Sequence, residues 1–214
     1  MVIKVGVLEL QGDFELHHQI LKNMGVDSSS VKKSADLNRI DGLIIPGGES
    51  TTMSLLIDNF NMHDALVEFG LVNPVMGTCA GLIIMARNVD DSRIKPLGLV
   101  DIAVKRNAYG RQIQSITESI QFNFSEMDKR ILPTTFIRAP KITSINEDFK
   151  IIATYKDSPV AILAGHCLCL TFHPELDQID IFHKILFDSS SEVYFKKLDP
   201  VSYTHLTLPT KRIV

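Results

Sequence analysis

Four short apolar runs constrain this chain more than any other feature: residues 2–10, Leu43-Ile44-Ile45, Pro74-Val75-Met76 and residues 167–172. Each is strand length and lacks the polar alternation of a half-exposed sheet. Near-continuous apolar strands belong in a parallel sheet covered on both faces. Between them the periodicity changes. Leu16, Ile20 and Met24 repeat every four residues along a predicted helix, with Asp13 placed to cap it and Gly25 placed to end it. A second helix starts at Ser50 or Thr51 and carries Leu55, Leu56 and Ile57, and a third covers about residues 62–69. A weak second strand is expected around Val31. Strands alternating with helices at this pace predict a doubly wound α/β sheet with right-handed crossovers. Sites in such sheets gather beyond the carboxyl ends of the strands.

Beyond Gly98 the pattern becomes β-rich without helical period, in segments 99–105, 113–122 and 135–138. These are expected to extend the same domain with mostly antiparallel strands. Segments 149–155 and 160–163 suggest a hairpin turning at Ser158-Pro159, and a last helix is expected over about 178–187, with Ile181, Phe182 and Ile185 inward. One domain over residues 1–188 follows, with 189–214 as a tail. Residues 202–214 resemble a translated sequencing adapter and are expected to be non-native.

The 214 residues carry a net charge of −3, which gives no electrostatic reason to propose a nucleic acid or membrane partner. No apolar run approaches the roughly 20 residues that span a bilayer, and the first residues read as a strand rather than a signal peptide. Three cysteines do not make a disulfide framework, so a reducing compartment, the cytoplasm, is expected.

Chemistry concentrates in two places. Gly77-Thr78-Cys79-Ala80-Gly81 lies between an apolar strand and a helix-forming run, the context of a Gly-x-nucleophile-x-Gly elbow. Cys79 would sit at a helix N-terminus, where the dipole favours a thiolate. His173-Pro174-Glu175, at another strand end, supplies a base and a carboxylate to orient it, giving a Cys79–His173–Glu175 triad. Backbone N–H groups of Ala80 and of the Gly47-Gly48 loop, Gly48 above all, are candidate oxyanion donors. The loop Pro46-Gly47-Gly48-Glu49-Ser50 lacks the Gly-Lys-Ser/Thr ending of a phosphate-binding loop. His17, His18, His63 and His183 fall on predicted helices with no metal-ligand spacing, and Cys167 and Cys169, on one strand face, read as small core residues. No metal and no cofactor is expected.

The elbow and the His-Pro-Glu segment resemble the class I glutamine amidotransferase triad. Leu10-Gln11-Gly12, Pro46-Gly47-Gly48-Glu49-Ser50-Thr51-Thr52-Met53, Arg106-Asn107-Ala108-Tyr109-Gly110-Arg111-Gln112 and Phe136-Ile137-Arg138-Ala139-Pro140 narrow the resemblance to the glutaminase subunits of pyridoxal 5′-phosphate synthases. It covers about residues 2–187. It implies a flavodoxin-like three-layer α/β/α fold with a mixed, mainly parallel central sheet, hydrolysis of L-glutamine to L-glutamate and ammonia through a thioester on Cys79, and delivery of the ammonia to a (β/α)8-barrel synthase subunit. It further implies that Gly47, Gly48, Glu49, Arg106, Ile137 and Arg138 bind glutamine, and that the Gln11 segment, a further oxyanion candidate, rearranges near the oxyanion position when the synthase docks. Segment 115–132 matches the family loosely. Another class I amidotransferase, a cysteine hydrolase or peptidase, and a catalytically silent assembly subunit stay open as alternatives.

Overall fold

The structure, a computed structural model, describes residues 3–106, 108, 115–125 and 128–197. The expected non-native tail, 202–214, and most of the Asn107–Gln112 motif lie outside them. In chain order come β1 (Lys4–Leu8), α1 (Phe14–Asn23), β2 (Asp27–Val31), a 3-10 turn (Ser34–Arg39), β3 (Gly42–Ile45), α2 (Ser50–Asn59), α3 (His63–Val72), β4 (Val75–Thr78) and α4 (Ala80–Met85). There follow β5 (Ala86–Val89), β6 (Val100–Lys105), β7 (Ile116–Ser125), β8 (Asp128–Phe136), β9 (Lys141–Ile145), β10 (Lys150–Tyr155), β11 (Ser158–Ala164), β12 (Cys167–Leu170) and α5 (Ile181–Phe187).

Nine strands form one sheet in the order β2-β1-β3-β4-β12-β11-β10-β7-β8. The first five are parallel and have the 2-1-3-4-5 order of a flavodoxin-like sheet. From β12 onward every pairing is antiparallel, so the β-rich second half extends the same sheet. Strands β5, β6 and β9 form a separate three-stranded sheet.

Two cores explain why the parallel strands are apolar throughout. Leu43, Ile45, Val75, Cys167 and Cys169 point to one face and pack with Met53, Ile57, Leu66 and Leu82 of α2, α3 and α4. Ile44, Met76, Leu168 and Leu170 point to the other and pack with Leu21 of α1 and Phe182, Ile185 and Leu186 of α5. Alternate residues feed opposite cores, the period-2 geometry of a strand with helices on both sides. Cys167 and Cys169 are therefore core side chains: burial pushes the Cys167 thiol up to about 12 and raises the Cys169 thiol well above its ordinary range.

Four local expectations change. The N-cap of α2 is Glu49, not Ser50 or Thr51; its carboxylate accepts the backbone N–H of Thr51 and Thr52, satisfying two donors that the first turn leaves free. Asp13 precedes α1 but makes no capping bond. The β10–β11 hairpin turns at Lys156 and Asp157, both at positive φ, the geometry of a tight two-residue hairpin turn, while Pro159 lies inside β11 beside a register shift. Packing also passes residue 188, since Val193 is buried in the same core as the α5 side chains.

Candidate active site

The loops after β1, β3, β4 and β12 converge on one edge of the parallel half. The tightest of them is the elbow after β4. Cys79 has φ 46° and ψ −98°, a strained conformation for a residue with a side chain. Two glycines make it possible by close approach. A Cβ on Gly77 would lie 2.6 Å from Met85 Sδ and 2.7 Å from the Gly81 carbonyl carbon; one on Gly81 would lie 2.0 Å from the Ile45 carbonyl oxygen. The sheet completes the support, because the Cys79 N–H donates to Leu170 O at 2.8 Å. Cys79 is buried, with Sγ 3.7 Å from the Ile137 carbonyl oxygen.

His173 follows β12, and its N–H donates to Thr135 O at 3.0 Å across an antiparallel bridge from β8. Asp177 fixes that bridge by accepting from Thr135 N at 2.6 Å and Oγ1 at 2.9 Å. The buried His173 ring places Nδ1 2.7 Å from Glu175 Oε1 and lines the same pocket as Cys79. Burial works against the charged ring, but the hydrogen bonds and charges of Cys79 and Glu175 outweigh it and push His173 up to about 11. The Glu175 carboxyl is held above its ordinary range by burial, only partly offset by His173.

A pocket of about 230 Å³ opens over Cys79 and His173, lined also by Gln11, Gly48, Glu49, Arg106, Ile137 and Arg138. Cys79, His173 and most of the expected glutamine-binding residues therefore meet at one cavity, while Glu175 is fully buried and reaches it only through His173. Gly47 lies beneath it: a Cβ there would come within 2.3 Å of His173 Cε1. Glu49 at the rim is held down to about 2, since its bonds to Thr51 and Thr52 overcome partial burial. The Arg106 guanidinium is already engaged, with Nη2 3.2 Å from Glu49 Oε1 and Nη1 bonded to Asp91. Arg138 sits exposed at φ 43° and makes no ion pair among the described residues. Of the oxyanion candidates, Gly48 is on the pocket wall and Ala80 starts α4, while Gln11 Oε1 accepts the Glu49 N–H at 2.8 Å.

Sequence reasoning missed Asp13, whose Oδ2 lies 3.9 Å from His173 Nδ1, and the brace formed by Thr135 and Asp177. It also placed His17 and His183 on helices without chemistry. Both are on helices, but His17 Nε2 lies 3.7 Å from Glu175 Oε2. The i, i+4 spacing of Asp13 and His17 around one helix start was the available signal.

Comparison with known proteins adds identity to this geometry. Residues 7–190 match the model of the SNO glutamine amidotransferase family. The chain is 46% identical over 177 residues to pyridoxal 5′-phosphate synthase subunit PdxT of Solibacter usitatus, covering 81% of this chain and 92% of that one. It is 41% identical to the same-named subunit of Thermosipho africanus, covering 85% and 96%. Among solved structures, a glutamine amidotransferase superposes with a TM-score of 0.76 at 35% identity, covering 85% of this chain and 96% of the other. PurLQS from Thermotoga maritima, at 17% identity and a TM-score of 0.58 over 82% and 89%, shares the fold.

Proposed function

The chain belongs to the SNO glutamine amidotransferase family, and from that premise we propose that it is the glutaminase subunit of a pyridoxal 5′-phosphate synthase. It hydrolyses L-glutamine to L-glutamate and ammonia, and the ammonia passes to a synthase subunit. The observation that carries the reading is a pocket of about 230 Å³ lined by Cys79 and by a His173 ring that Glu175 holds from its buried side, a size that suits one amino acid and excludes a dinucleotide.

His173 takes the Cys79 proton, and Sγ attacks the side-chain amide carbon of glutamine. As the C–N bond breaks, His173 gives its proton to the departing nitrogen, which leaves as ammonia; a γ-glutamyl thioester remains. Water, deprotonated by the same ring, then breaks the C–S bond and releases glutamate. Glu175 holds the ring and offsets its charge throughout. The anionic Glu49 suits the substrate ammonium group. With Arg106 committed to Glu49 and Asp91, Arg138, which makes no ion pair among the described residues, suits the α-carboxylate. Gly48 and Ala80 N–H groups stabilise the oxyanion, joined by the Gln11 segment once its bond to Glu49 is released. The reading assigns this chain no cofactor, a (β/α)8-barrel partner and a cytoplasmic location; no helix among the described residues is long and apolar enough to cross a membrane.

The test mixes the chain with a pyridoxal 5′-phosphate synthase barrel subunit and glutamine, then measures glutamate and ammonia. Both should form with wild-type chain and vanish with Cys79→Ala. No glutamate from wild-type chain with a competent partner would overturn the proposal.

A further inference from the structure

Two fully buried histidines meet behind the carboxylate of the triad. His17 comes from α1 and His183 from α5, and His17 Nδ1 lies 2.9 Å from His183 Nε2. The other face of the His17 ring looks toward the active site, with Nε2 3.4 Å from Thr78 Oγ1 in the elbow and 3.7 Å from Glu175 Oε2. Glu175 needs such a neighbour. Its Oε1 holds His173, but its Oε2, also buried, has no hydrogen-bond partner among the described residues. A buried carboxylate oxygen left bare is expensive, and an N–H dipole aimed at it recovers part of that cost.

Both rings are held neutral. Burial and the nearby His183, His173 and His18 keep His17 well below its ordinary range, while burial holds His183 at about 3 against the opposing pull of Asp180. A neutral ring carries one N–H, so its position matters. While Glu175 is ionised, the carboxylate draws the His17 proton to Nε2, and Nδ1 then accepts from the His183 Nε2–H. That tautomer puts an N–H on the ring edge that faces Glu175 Oε2.

We propose that His17 is a positioning residue of the active site, holding the second carboxylate oxygen of Glu175 from behind, and that His183 fixes the His17 ring for that task. The proposal rests on the triad roles given above. Its consequence reaches Cys79: a carboxylate less well held stabilises the His173 imidazolium less, so the reactive thiolate–imidazolium pair forms at higher pH.

The rate at which iodoacetamide alkylates Cys79, measured against pH on the full-length chain, reads this without a synthase partner. Cys79→Ala supplies the background from the two other thiols. The profile of His173→Ala comes first: if its midpoint matches wild type, the Cys79–His173 pairing itself fails. Given a shift there, His17→Leu should move the midpoint up by about one unit, slowing alkylation about tenfold on the acid side. His17→Gln, whose amide reaches the Nε2 position, should stay close to wild type. A folded His17→Leu with an unchanged midpoint, or equal shifts in both variants, overturns the proposal. Should His17→Leu not fold, His17→Asn replaces it: its shorter amide reaches His183 but not Glu175, and a midpoint equal to that of His17→Gln overturns the proposal as well.

Discussion

Gly47→Ala tests whether the loop after β3 sets the position of the base. The new Cβ would lie 2.3 Å from His173 Cε1 and 2.7 Å from Nδ1, where an ordinary contact begins at 3.4 Å. About 1 Å of separation must therefore be found. The ring has little freedom to yield, since it is buried, tied to Glu175 at 2.7 Å and anchored through its backbone to Thr135. The loop is also tied, because Gly47 O accepts the Asp13 N–H at 3.1 Å. Sharing the shift should cost about 1–3 kcal/mol of stability. The effect on chemistry is larger in proportion: displacing a proton-transfer group by about 1 Å lowers kcat by about 10²-fold, or about 2.7 kcal/mol of barrier. Steady-state glutamate release with the synthase partner present, beside a urea melt, separates the two. A variant that stays folded and keeps kcat within about threefold of wild type would refute the idea that this glycine exists to let the imidazole approach.

Gly81→Ala should be worse for the fold, because its Cβ would meet the Ile45 carbonyl oxygen at 2.0 Å, backbone against backbone; a loss of about 3 kcal/mol or more in chemical denaturation is expected. His173 carries a folded pKa raised from 6.5 to about 11, so its stabilising contribution is full below about 6.5 and lost as pH climbs toward 11. The gap in melting temperature between wild type and His173→Gln should accordingly narrow from pH 7 to pH 10, and a widening gap would contradict the assigned direction. Thiol titration of the native chain should find Cys79 reactive and Cys167 and Cys169 silent until denaturant is added, as their burial and raised ranges require.

The parallel half was legible because its rule is short: apolar runs of strand length, separated by helical periods, admit few other arrangements. The elbow was legible for a related reason, since two glycines flanking a cysteine have few structural uses. The antiparallel half was harder to read. Strand β8 runs Asp128–Phe136, with Pro133 inside it and Lys129, Arg130 and Ile131 outward, so residues before Thr135 gave no sign of a strand. Strands β5 and β9 escaped because β5 follows α4 without a break and β9 is largely exposed. Asp13 looked like a cap because aspartate usually is one there; its side chain lies toward His173 instead. The meeting of His17 with His183 depends on α1 and α5 sharing a face of the sheet, which no local pattern encodes.

The bridge between Thr135 and His173 places the reaction on a seam. Cys79 and Glu175 stand on the parallel half, yet the backbone that steadies the imidazole and the carbonyl facing Sγ both come from the chain that forms and leaves β8. Breathing of the β7–β8 ribbon, the outermost edge of the sheet, would thus switch off turnover while the flavodoxin-like body stays intact. Warming should extinguish glutamate release several degrees before the circular dichroism of the helices declines.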